Sequence, residues 1–108
     1  MQQALEALGD PTRRRIVEEL AQADLTAGEL AALFDISRPG VSRHLRVLRE
    51  AGLVTAEADA QRRIYSLATE PLDELEGWLN RQRAFWTQRL DALGTEIARG
   101  KRARKEKS

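Results

Sequence analysis

The sequence predicts a mainly α-helical domain with one small β-hairpin, and three observations carry that expectation. Residues 26–51 contain two amphipathic segments, each opened by a capping residue and separated by the polar break Asp35-Ile36-Ser37. Residues 53–67 contain two short runs of strand-forming residues around the polar tip Asp59-Ala60-Gln61. From Pro71 to about Arg99, large apolar residues recur at spacings of three, four or seven, the pattern of one long helix.

Residues 2–8 read as a short leading helix, with Leu5 and Leu8 expected to face inward and against a dimer partner. Asp10-Pro11-Thr12 then opens a full helix, with an N-cap followed by a proline whose missing N–H would have had no partner in the first turn. Ile16, Val17 and Leu20 supply its buried stripe. Arg13, Arg14 and Arg15 do not form one phosphate clamp, because successive helical residues point about 100° apart; most are expected to be solvated or ion-paired.

Thr26 can cap a helix that runs to about Phe34, with Glu29 at the capping-box spacing and Leu30, Leu33 and Phe34 as its apolar positions. Ser37 caps the next helix, which tolerates Pro39 in its first turn and runs to about Ala51. Val41, Leu45 and Leu48 make one packing stripe on it, while Arg38, Ser42, Arg43, Arg46 and Arg49 project over the other side. Such a helix fits the DNA major groove, where arginine bonds bidentately to guanine and serine to several base edges; alternatively, the arginines only keep an amphipathic helix solvated. Gly52 is the expected left-handed stop.

Leu53–Ala58 and Arg62–Leu67 follow as strands, placing Arg62 and Arg63 at the hairpin rim. Two readings of that pair stand: contact with a phosphate or the minor groove, or pairing with nearby carboxylates. Together these elements predict a winged helix-turn-helix with a long C-terminal dimerisation helix.

The C-terminal stripe comprises Leu72, Leu75, Leu79, Phe85, Trp86, Leu90, Leu93 and Ile97, interrupted by Gln82 and broadened by Trp78. At 1.5 Å per residue the helix is on the order of 40 Å long, more than a domain of this size needs for its own core. Large rings on an extended helix commonly anchor an interface, which assigns Leu75, Trp78, Leu79, Phe85, Trp86, Leu90 and Leu93, with Leu5 and Leu8, to dimerisation. An intrachain core or the wall of a pocket for a small apolar effector is the alternative. Residues 100–108 form a basic tail, expected to be disordered, serving either as a salt-sensitive DNA arm or as a solubilising terminus. The remaining 1–99 is expected to be one domain.

Net charge over the 108 residues is only +1, but it is unevenly spread. Residues 1–35 sum to −4, 36–67 to +3, 68–98 to −3 and 99–108 to +5. The proposed reading element and the tail are thus the basic regions of an otherwise acidic chain, the footprint of a nucleic-acid binder. No cysteine is present, which excludes disulfides and thiol sensing. With one histidine, no cysteine and no G-x-x-x-x-G-K loop, a catalytic role is not expected. No signal peptide is visible and no apolar run approaches the ~20 residues needed to span a bilayer; the expected location is the cytoplasm.

SRPGVSRHLRVLREAGLV followed by RRIYSL resembles the recognition helix and wing of the ArsR/SmtB family of bacterial transcriptional repressors. ALGDPTRRRIVEEL resembles that family's first full helix, and the likeness covers roughly residues 4 to 67. The resemblance implies a homodimer that binds a palindromic operator in double-stranded DNA, often that of its own operon, and blocks transcription until released. Half-sites would lie ~10 bp apart, the spacing at which a two-fold dimer meets successive major grooves. On this reading Ser37, Arg38, Ser42 and Arg43 meet base edges or adjacent phosphates, and Thr26, Arg46, Arg62 and Arg63 position the DNA backbone. Arg49 is expected to stay solvated, and His44 either donates to a phosphate or packs with a hydrogen bond.

Many members bind metal through a cysteine pair on the first helix of the helix-turn-helix, or through Asp and His pairs on the C-terminal helix. Here the first location reads Glu29-Leu30-Ala31-Ala32-Leu33-Phe34-Asp35, and the C-terminal helix has no histidine. Ordinary nitrogen and sulfur ligands are therefore insufficient for a transition-metal site within a subunit, and neither metal nor cofactor is expected. This resembles the non-metal branch that includes the SdpR-like autorepressors, where a partner protein, a small-molecule effector or no ligand at all sets release. The competing function is a winged-helix protein-interaction module with only nonspecific DNA affinity.

Overall fold

The chain is described from a computed structural model that covers the backbone of residues 1–107 and the side chains of residues 1–95. Its elements follow as α1 (Gln2–Ala7), α2 (Pro11–Leu20), β1 (Leu25–Thr26), α3 (Ala27–Phe34), α4 (Arg38–Glu50), β2 (Val54–Asp59), β3 (Arg62–Leu67) and α5 (Glu70–Lys107). They fall into two compact units, Met1–Glu74 and Leu75–Ser108.

Local chemistry sets the helix boundaries of the first unit. The Asp10 carboxylate accepts the Arg13 N–H at 3.0 Å and starts α2. Thr26 and Glu29 form the full capping box of α3: Thr26 Oγ1 accepts from the Glu29 N–H and Glu29 Oε1 from the Thr26 N–H, each at 3.1 Å. Ser37 Oγ accepts the Gly40 N–H at 3.2 Å and starts α4. At the end of α4, Gly52 adopts φ +77°, its N–H reaches the Arg49 carbonyl, and the Leu53 N–H reaches that of Leu48. Those two bonds are a Schellman stop, which explains why a glycine stands there.

The core of this unit forms where α4 meets α1, α2, α3 and β2. Ile16, Leu30, Val41, Leu45, Leu48 and Leu53 are its largest fully buried side chains, each stabilising the fold by about 1.5–3 kcal/mol through removal of apolar surface from water. The sheet has three antiparallel strands in the order β1-β3-β2, with Leu25 opposite Tyr65, Thr26 opposite Ile64, and Asp59 opposite Arg62 at the wing tip. The strand β1 is absent from the sequence-based expectation, and β2 starts one residue later than expected. Ala60 takes a left-handed φ of 56° to close the two-residue tip.

Two expectations for the amino-terminal region need correction. Within the chain the residues of α1 that face inward are Ala4 and Ala7, whereas Leu5 is 43 % exposed and Leu8 half-buried; this exposure does not contradict a contact with a dimer partner. The helix packs against α4, and its inward face carries methyl groups small enough for close backbone approach. The three arginines of α2 are also neither simply solvated nor ion-paired. Arg13 Nε donates to the Ala7 carbonyl at 2.6 Å and Arg14 Nη1 to the Leu8 carbonyl at 2.8 Å, closing the carboxyl end of α1. Arg15 lies over the Phe34 ring with its Cζ 4.7 Å from the centroid.

Within α5, Leu75 is buried and Trp78 half-buried, while Leu79, Phe85, Trp86, Leu90 and Leu93 are all at least half exposed. Phe85 and Trp86 meet edge-to-face at 5.8 Å, and Arg89 lies 5.2 Å from the Phe85 centroid. The expected basic tail, 100–108, and the expected domain boundary at Arg99 lie outside the residues whose side chains are described.

Candidate nucleic-acid interface

The helix-turn-helix is built by a left-handed turn. Asp35 ends α3 at φ 52° and ψ 39°, and Ser37 then caps α4 in an extended conformation, so Asp35-Ile36-Ser37 links the two helices. Because Val41, Leu45 and Leu48 are anchored in the core, Ser42, Arg43, Arg46 and Arg49 are turned to solvent. The recognition face is thus fixed by the packing face of the same helix.

A cleft of about 410 Å³ joins this helix to the wing, lined by Thr26, Ala27, Arg38, Ser42, Gln61, Arg62, Arg63 and Tyr65. Five of the eight residues expected to contact DNA therefore converge: Thr26, Arg38, Ser42, Arg62 and Arg63. The convergence depends on β1, since pairing of Thr26 with Ile64 ties the start of α3 to the base of the wing. Arg38 lies across the first turn of α3, with Nη2 3.2 Å from the position a Cβ would take on Gly28.

The other three stand elsewhere. Ser37 and Arg43 are exposed but do not line the cleft. Arg46 lines a second depression with Arg49, Glu50, Val54, Thr55 and Ala56, between α4 and β2. Ser37 uses an oxygen lone pair for capping, which leaves its hydroxyl hydrogen free to donate to an anion. Gln61, Ala27 and Tyr65 were not anticipated as lining residues; the signal for Tyr65 was its place in β3, where it is the one buried residue.

The electrostatics follow the same division. Arg62 Nη2 bonds the Asp59 carboxylate at 3.3 Å, an exposed pair across the wing tip, so one of the two readings of Arg62 is realised in the free protein. Such a pair contributes little to stability and is readily exchanged for another anion. The Thr26 backbone N–H, then the Thr26 side chain, hold the Glu29 carboxyl below its ordinary range, with the charge of Arg62 adding to this. Asp10 is likewise lowered, first by the Arg13 N–H and further by the charge of His44, while desolvation opposes. His44 is half-buried.

Fold and cleft together define a winged helix-turn-helix DNA-binding protein. Residues 8–57 match a family model described as a helix-turn-helix domain. Over 87 residues the chain is 47% identical to the HTH-type transcriptional regulator Rv2034 of Mycobacterium tuberculosis, covering 81% of this chain and 78% of that protein. Over 79 residues it is 38% identical to the transcriptional repressor SdpR of Bacillus subtilis, covering 73% and 88%. Among solved structures, an ArsR-like transcriptional regulator from a Rhodococcus species superposes with TM-score 0.73 at 33% identity, covering 85% and 87%. The chain belongs to the ArsR/SmtB family of winged helix-turn-helix transcriptional regulators. It is a DNA-binding regulator and not an enzyme. Among the described residues, no helix is long and apolar enough to cross a membrane.

Proposed function

We propose that the protein is a homodimeric transcriptional repressor that binds an inverted-repeat operator, with its own promoter the first candidate. The observation that carries this reading is the cleft between recognition helix and wing, where Arg38, Arg62 and Arg63 meet around Ser42 and Thr26. Guanidinium groups grouped in a concave surface suit a phosphate backbone that passes from major groove to wing. Ser42 and Arg43, further out on α4, then meet base edges, and Ser37, Thr26 and Arg46 meet neighbouring phosphates.

Dimerisation is supported by the exposed stripe Leu79, Phe85, Trp86, Leu90 and Leu93 on α5. Five large apolar side chains left in water on one helix favour association with a second copy. Repression is supported by the names of two relatives, the repressor SdpR and a biofilm growth-associated repressor of Agrobacterium fabrum. Release by metal is disfavoured by the residues themselves: no cysteine and a single histidine. A protein or small-molecule effector, or none, fits this chain better. Such a repressor works on the nucleoid, in the cytoplasm.

Fluorescence-anisotropy titration against duplex from upstream of the protein's own gene tests the reading, with scrambled duplex as competitor across a salt series. Saturable binding at two protomers per duplex that survives competitor is the expected result. Binding that competitor abolishes and moderate salt erases would instead favour a winged-helix interaction module with nonspecific DNA affinity.

A further inference from the structure

Gly28 stands at the second position of α3, a helix of eight residues, where alanine would ordinarily serve the helix better. Its φ is not in the left-handed region, so backbone conformation does not demand a glycine there. What crowds the space of the missing side chain is Arg38. A Cβ on residue 28 would lie 3.2 Å from Nη2, 3.5 Å from Cζ and 3.6 Å from Nε of that guanidinium. The group therefore rests along the bare Cα of Gly28, inside the cleft it lines with Arg62 and Arg63.

In the free protein the guanidiniums that line the cleft are not equally satisfied. Arg62 is paired with Asp59, whereas among the described residues Arg38 and Arg63 make no ion pair. A phosphate entering the cleft supplies the anion that Arg38 lacks. The side chain is thus held where an anion is needed, and the surface that holds it is the absence of a side chain at position 28.

We propose that Gly28 is a positioning residue for DNA binding, acting through Arg38. It makes no contact with DNA itself; it leaves room for the Arg38 guanidinium to lie against α3 at the height where it shares a phosphate with the wing. Substitution by alanine is tolerated by the fold, because the atom that must yield is the far end of a flexible side chain and not backbone. The effect falls on binding, since the arginine is pushed outward by a few tenths of an ångström or into another rotamer. The inference rests on the proposed role of Arg38 in DNA binding.

The test compares Gly28→Ala, Arg38→Ala and the double variant with the wild type. Affinity is read by anisotropy on a duplex selected from a random pool by the wild-type protein, and melting temperature by circular dichroism. Gly28→Ala should raise the melting temperature by about 2–4 °C through better helix propensity while weakening binding about fivefold. Arg38→Ala should weaken binding about tenfold, and adding Gly28→Ala to it should cost nothing more. Wild-type affinity in Gly28→Ala alongside an impaired Arg38→Ala overturns the positioning role and leaves the proposed function standing. Additive losses in the double variant also overturn it, since Gly28 would then act by another route. Undiminished binding in Arg38→Ala overturns both the positioning role and the assignment of Arg38.

Discussion

The first unit and the carboxyl-terminal helix treat their apolar residues in opposite ways. In residues 1–74 the large side chains of α2, α3 and α4 close on one another, and the exposed large apolar residues are Met1 and Leu5, one turn apart at the start of the chain, and Leu33 on α3. Within fifteen residues of α5, by contrast, Leu79, Phe85, Trp86, Leu90 and Leu93 are all exposed at 50 % or more. The first unit satisfies its own packing and has arginines to spare on its surface. The helix leaves a run of large side chains in water. The contrast is the one expected of the proposed dimer, in which one region meets charge and the other a second apolar surface.

That contrast can be broken at either end. The largest effect is expected inside the first unit: Leu48→Ala, at a fully buried site under α4, should lower unfolding stability by about 3 kcal/mol in urea titrations. Trp86→Ala on α5 should leave secondary structure intact and instead weaken self-association by at least ~2 kcal/mol, about thirtyfold in dimer Kd by sedimentation. Unchanged association would show that the exposed stripe is not the interface.

A smaller effect is expected at the cap of α2. The lowered pKa of Asp10 means its charged form stabilises the fold, fully above its ordinary value of 3.8 and progressively less as pH falls through the lower folded value. Asp10→Ala should therefore cost about 1 kcal/mol at neutral pH, and the gap from wild type should close in acid, below pH 3.8. A gap that persists there would mean Asp10 acts by packing and not as a charged cap. The smallest change lies at the wing tip, where Ala60→Gly removes the strain of a left-handed alanine and should stabilise by about 0.5 kcal/mol in thermal melts.

What was legible in the sequence was what depends on neighbours along the chain. The caps Asp10, Thr26 and Ser37, the stop at Gly52 and the tip near Ala60 all act within a few residues, and the α4 stripe needs only helical period. The strand β1 was not legible, because two residues carry no alternation and exist as a strand only through pairing with Ile64 and Tyr65, about forty positions away. The inward face of α1 is not legible from residue size, because the approach of α1 to α4 selects the small Ala4 and Ala7 over Leu5. For the candidate interface, the identities of Arg38, Ser42, Arg62 and Arg63 could be read from pattern. Their convergence, and the role of Gly28 in it, required β1 to bring α3 to the wing.

Hydroxyl-radical footprinting of the wild type and the Arg38→Ala/Arg43→Ala variant on the selected duplex tests the central claim most directly. The account predicts two equivalent protected patches about 10 bp apart centre to centre, both lost in the variant while its dimer and melting temperature are retained. A single patch, or protection that survives the loss of both arginines, would contradict it.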